Sequence, residues 1–221
     1  MDGTLYDSMG NHADSWARLC REEGIDCTRD EFFLYEGRTG ASTIDLLIQR
    51  QWGRHATDQE KERMYRKKTE YFNQLPEVGP MPGARRLLEE MKEIGLGRVI
   101  VTGSGQASLL DRLQKDFPGA FSAEMMVTSR NVTKGKPHPE PYIRGMQMAG
   151  VSPSHALAVE NAPLGVESAS RAGVFTVGLT TGPVPAAELY EAGAAIVYPS
   201  MEAFAEDFHI LMFNLLTTSA E

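Results

Sequence analysis

Cysteine is scarce: Cys20 and Cys27 are the two in 221 residues. That number excludes a disulfide framework and makes a thiolate zinc site a poor fit. Long apolar runs are missing as well. The longest, Ile210 to Leu216, is interrupted by Asn214 and is far too short to span a bilayer. A basic-then-apolar leader is also lacking, so the expectation is a reducing cytoplasm. Nor is there an excess of positive charge. Lys and Arg number 22 against 30 Asp and Glu, a net charge of −8, with the signs interspersed. A nucleic acid or anionic membrane partner would need a basic face, so neither is expected. The 42% hydrophobic and 24% charged content fits one large globular domain, or a core with a smaller second one.

The pattern changes near residue 80. Before it, spacing predicts helices. His12 to Glu23 puts Trp16, Leu19 and Cys20 on one face, and Ser42 to Trp52 does the same with Ile44, Leu47, Ile48 and Trp52. Thr57 with Glu60 three residues on reads as a capping box, opening a helix with Met64, Tyr65, Tyr71 and Phe72. After Pro76 to Pro80, short β-rich runs alternate with helices. Strands are predicted at Arg98–Thr102, Glu124–Thr128, Ala156–Val159, Val174–Leu179 and Ala195–Tyr198. Helices are predicted at Ser108–Phe117, Pro139–Ala149, Leu164–Ala172 and Met201–Leu215. Apolar strands separated by helices indicate a parallel sheet of βαβ units.

In such a sheet the site lies at the carboxyl ends of the strands. The residues expected there each have an ordinary reading too. Asp2-Gly3 is a common turn dipeptide. Thr102-Gly103-Ser104-Gly105 is compatible with a plain loop or with a phosphate cradle at a helix N-terminus. Lys136 alone reads as a solvated loop lysine, and His12 as a surface histidine. Glu160 suits an N-cap, a salt bridge or an oxygen-ligated cation. Their order shifts the balance: an acid, a hydroxyl, an ammonium and a metal-binding oxygen along one sheet edge are the parts phosphoryl transfer needs.

Four segments carry a resemblance: Met1-Asp2-Gly3-Thr4-Leu5-Tyr6-Asp7-Ser8, Val101-Thr102-Gly103-Ser104, Gly135-Lys136-Pro137-His138-Pro139-Glu140-Pro141-Tyr142, and Val159-Glu160-Asn161-Ala162-Pro163-Leu164-Gly165-Val166. With them the chain resembles the haloacid dehalogenase superfamily, in its branch of β-phosphoglucomutases and small sugar-phosphate phosphatases. The resemblance implies an α/β Rossmann-like core, residues 1–7 and 80–221, with an inserted helical cap at 8–79. It implies Mg²⁺-dependent phosphoryl transfer on a small phosphorylated sugar through a phosphoaspartate, in a monomer. Asp2 would be the general acid/base. Thr102 and the Gly103 N–H, with Ser104 beside them, would hold the phosphoryl group, and Lys136 would balance its charge. Glu160, Asn161 and the Asp2 backbone carbonyl would bind Mg²⁺. His12 and Trp16, with Arg38 in the Gly37–Gly40 loop and Lys67, would face substrate from the cap.

The sequence departs from the family in three places. The nucleophilic aspartate falls two positions before Asp2, ahead of Met1, together with the strand that carries it. The expectation is a truncated chain, inactive as given, with a gap between the strands ending at Thr102 and Val159. Asn161 replaces an aspartate, removing one charge from the metal site. Thr43 stands near the place of a phosphate-binding arginine, for which Arg38 is the substitute. The alternative reading is a non-catalytic phosphometabolite-binding protein.

Overall fold

A computed structural model describes residues 1–104 and 109–218. The first part is all helix: α1 (Met9–Glu23), α2 (Glu31–Leu34), α3 (Gly40–Trp52) and α4 (Asp58–Asn73). Local chemistry sets their ends. Thr39 accepts the Ser42 N–H at 3.2 Å to open α3. Thr57 and Glu60 form the expected reciprocal capping box on α4. Gly24 closes α1 at φ 70°. Leu19, Cys20, Ile44, Leu47, Ile48 and Met64 are buried together in one apolar cluster. Trp52, expected on that face, is exposed instead. It ends the last turn of α3, with the Arg54 guanidinium 5.7 Å from its ring. The short α2 was not anticipated.

The second part alternates as expected. In order it runs α5 (Ala84–Glu93), β1 (Ile100–Val101), α6 (Leu109–Asp116), β2 (Met126–Val127), α7 (Glu140–Ala149), β3 (Leu157–Glu160), α8 (Pro163–Arg171), β4 (Phe175–Leu179), α9 (Ala186–Glu191), β5 (Ile196–Tyr198) and α10 (Met201–Thr218). The predicted helix start at Ser108, and Gly105 of the loop before it, lie outside the described residues. All strand pairs are parallel, but the strands form two sheets: β1–β2, and β3–β4–β5. β1 and β3 share no ladder among the described residues. Instead, the Lys136 Nζ reaches from the Val101 carbonyl at the end of β1, at 3.3 Å, to the Glu160 carboxylate at the end of β3.

Phe204 and Phe208 of α10 are fully buried with Tyr6, Val177 and Leu179 in the main core. The helical part sits over the carboxyl ends of the strands. A methyl built on Gly103, after β1, would lie 3.1 Å from the carbonyl oxygens of both Gly37 and Arg38. No described helix is long and apolar enough to cross a membrane.

Candidate active site

Thr102, Lys136, Glu160 and Asn161 come together at the strand ends, none more than 9% exposed. Buried polar side chains need partners, and Thr102, Lys136 and Glu160 have them. Thr102 follows β1, where its N–H continues the ladder to the Val127 carbonyl at 2.9 Å. Its hydroxyl accepts the Ser104 N–H at 3.1 Å, curling the loop. The loop carrying Lys136 is pinned to α7: the Glu140 carboxylate accepts the N–H groups of Thr133 at 3.0 Å and Lys134 at 2.9 Å. Lys136 and the Tyr142 hydroxyl both donate to Glu160 Oε1. Burial raises the Glu160 carboxyl, but the Lys136 ammonium, the amino terminus and the hydrogen bonds from Lys136 and Tyr142 together outweigh it and hold Glu160 below its usual value. Gly165 makes room for this carboxylate on α8: a Cβ there would meet Glu160 Oε2 at 2.3 Å.

Asp2 lies on the same edge, in a tight turn that Gly3 makes at φ 70°. A side chain at Gly3 would collide with Asn161, whose Nδ2 would be 2.0 Å from its Cβ. The turn therefore brings Asp2 and Asn161 together. Asp2 Oδ1 accepts the Ser8 hydroxyl at 2.5 Å and lies 3.3 Å from His12 Nε2. Burial would raise the Asp2 carboxyl; the neighbouring His12, the amino terminus and Ser8 overcome this and hold it well below the usual carboxylate range.

Above Asp2 and Thr102 lies an open cleft, lined from the helical side by His12, Trp16, Glu36, Arg38, Thr43 and Lys68, among others. The expected residues His12 and Arg38 are there, facing Gly103 and Ser104 across it. Arg38 bonds Ser42 Oγ at 3.3 Å through Nη1, while its buried Nε has no hydrogen-bond partner. Lys67 is not there. It lies on the outer side of α4, paired with Glu22 at 3.1 Å and Glu23 at 3.2 Å. The cleft lysine is its neighbour, Lys68, 4% exposed, whose Nζ lies 2.6 Å from His12 Nδ1. Desolvation lowers the Lys68 ammonium from its usual 10.5 to about 8. The helical phase carries the signal for this: Lys68 falls four residues after buried Met64 and three before buried Tyr71. Tyr142, within one of the quoted segments, was also missed as a Glu160 partner.

Fold and site together define an α/β protein of Rossmann type with a helical insertion over the carboxyl ends of its strands. The chain belongs to the haloacid dehalogenase-like hydrolases, whose family model matches residues 1–179, and within them to the phosphoglucomutase-like branch. It is 28% identical to the validoxylamine A 7'-phosphate phosphatase of Streptomyces hygroscopicus subsp. limoneus over 183 residues, 82% of this chain and 83% of that one. It is 26% identical to the beta-phosphoglucomutase of Bacillus subtilis, covering 82% and 81%. A solved structure from Bacteroides vulgatus, provisionally assigned as a beta-phosphoglucomutase, superposes with a TM-score of 0.94 at 45% identity, covering 97% and 87%.

Proposed function

We propose that this chain is built for phosphoryl transfer on a small phosphosugar, Mg²⁺-dependent and passing through a phosphoaspartate, with hydrolysis or mutase transfer as the outcome. The observation that carries this reading is the meeting of Asp2, Thr102, Lys136 and Glu160 at one sheet edge beneath a polar cleft. The relatives that act on phosphorylated sugars support the substrate class.

The roles follow from the surroundings. Thr102 Oγ1 and the Gly103 N–H hold the phosphoryl group at the mouth of the loop. Lys136, buried and fixed to the Val101 carbonyl, offsets the negative charge gathered there, where a water-poor setting strengthens its effect. Asp2 gives a proton to the leaving oxygen as the phosphoaspartate forms; the ionised form that results, which His12 and Ser8 favour, then takes a proton from the incoming water or sugar hydroxyl. The helical part, 8–79, acts as a cap. Excluding water favours transfer to a sugar hydroxyl, and admitting water favours hydrolysis.

The Glu160 carboxylate, the Asn161 side-chain oxygen and the Asp2 carbonyl fit a hard cation in donor type. Among the described residues no three His, Cys, Asp or Glu side chains form a metal-holding group, so the set calls for one more carboxylate. Mg²⁺ bound there would neutralise charge on the phosphoryl oxygens. The nucleophilic aspartate would bring that carboxylate on a further parallel strand between β1 and β3, a reading that the interruption of the sheet supports.

The test is to place about eight apolar residues ending in Asp directly before Met1, a usual strand length, and to assay a panel of phosphosugars. Free phosphate and isomerised product are followed together. Activity should appear with Asp and not with Asn at the last added position. Equal activity from the unextended 221-residue chain would overturn the reading.

A further inference from the structure

The polypeptide crosses between core and cap twice, through Leu5–Asp7 and through Pro76–Pro80. Backbone contacts tie the crossings: the Met81 N–H donates to the Leu5 carbonyl at 2.8 Å, and Tyr6 bridges to Pro80. Both crossings also converge on one side chain of α6. The Arg112 guanidinium carbon lies 3.8 Å from the centre of the Tyr6 ring, and its Nη2 donates to the Val78 carbonyl at 2.7 Å. The Tyr6 hydroxyl donates back to the Arg112 carbonyl at 3.3 Å. Tyr6 is fully buried, and a cation over a desolvated ring is held more strongly than one at the surface. One turn along α6, Lys115 meets Glu77 at 3.3 Å, but that pair is exposed and contributes little.

In the sequence α6 follows the Thr102–Ser104 loop, and it carries both crossings on its flank. Arg112 is also held from within α6. Its buried Nε has no hydrogen-bond partner, and Asp116 Oδ2 lies 3.9 Å away. Releasing Val78 would therefore not strand the charge.

We propose that Arg112 is the pin of the hinge. By holding Tyr6 and Val78 at once, it keeps the cap seated over the strand ends, and through α6 it couples cap position to occupancy of the phosphate loop. It touches no reacting atom and is a positioning residue. The coupling rests on reading Thr102–Ser104 as the phosphate site; the pinning does not.

Residue-resolved hydrogen exchange on the full chain separates the two parts. Losing a charge-assisted bond should speed exchange of the Met81 amide about tenfold in Arg112→Met, with core amides such as Val177 unchanged. Arg112→Lys, which keeps charge but not the planar fork, should recover part of that loss. Gln114→Ala, which removes a 2.5 Å bond from α6 to the Phe121 carbonyl, should leave Met81 as in wild type. Inorganic phosphate should slow exchange at Ser104 and Met81 in wild type, and at Ser104 alone in Arg112→Met. Unchanged Met81 exchange in Arg112→Met, or equal acceleration of all amides, overturns the pin. Protection of Ser104 without Met81 in wild type overturns the coupling. Protection of neither overturns the phosphate site and leaves the pin to stand on Met81 alone.

Discussion

The two walls of the cleft are built differently. On the strand side, Lys136, Glu160 and Tyr142 are buried and bonded to one another, and Thr102 orders its own loop. On the helical side, Arg38 leaves a donor without a partner, and Lys68 carries its charge at a desolvation penalty, with His12 Nδ1 as its close contact. Groups satisfied before substrate arrives are preorganised for chemistry common to every substrate. Groups left under-satisfied gain most from a ligand that completes them, which is the physics of discrimination.

The sharpest way to break this contrast is Lys136→Ala. In the strand-completed chain it should lower turnover about 10²–10³-fold on every substrate. It also leaves the Glu160 carboxylate buried without its cation, destabilising the fold by about 3 kcal/mol in denaturant titration. Wild-type turnover and an unmoved midpoint would reduce Lys136 to an ordinary loop residue. Next comes the metal. Glu160→Ala should weaken Mg²⁺ binding by calorimetry at least about tenfold, while Asn161→Asp should tighten it by adding a charge. Full turnover in excess chelator would remove the cation from the account.

On the helical side, Lys68→Met should raise KM for a phosphosugar about tenfold, the weight of one charged hydrogen bond. Lys67→Met should change it little, and the reverse ranking would refute the placement. Because Lys68 titrates near 8 when folded and at 10.5 ordinarily, the unfolded chain holds the extra proton between those values. Its contribution to stability therefore rises with pH across that window, and the stability difference between wild type and Lys68→Met should climb there. Phosphosugar affinity should fall over the same range as the ammonium is lost. The smallest effect is expected for Arg38→Ala. It should reorder preference among sugar phosphates several-fold, as a pocket contact does, and spare a small aryl phosphate. Equal losses on both would assign Arg38 to the fold.

The order of elements was legible because both periodicities are strong: Leu47 and Ile48 on α3, and the all-apolar Ile100–Val101 and Met126–Val127 strands. The strand-side residues were legible from their position at strand ends. Ladder lengths were not. Parallel partners fix how many residues pair, and β1 keeps only two of the five expected, Ile100 and Val101. α2 and α9 are too short for periodicity to appear. Trp52 satisfied the helical spacing, yet it lies past the end of the apolar contact, where spacing no longer implies burial.

Lys67 and Lys68 are the same residue type at adjacent positions in the sequence, and differ by about 100° of helical rotation. What selects one for the cleft is the angular lock that Met64 and Tyr71 place on α4. Inserting one alanine between Met64 and Lys67 would carry Lys67 into the phase that Lys68 now holds relative to Met64 and turn Lys68 about 100° further round the helix. In this chain the cleft cation is therefore an address written in helical phase, set by the buried residues on either side of it.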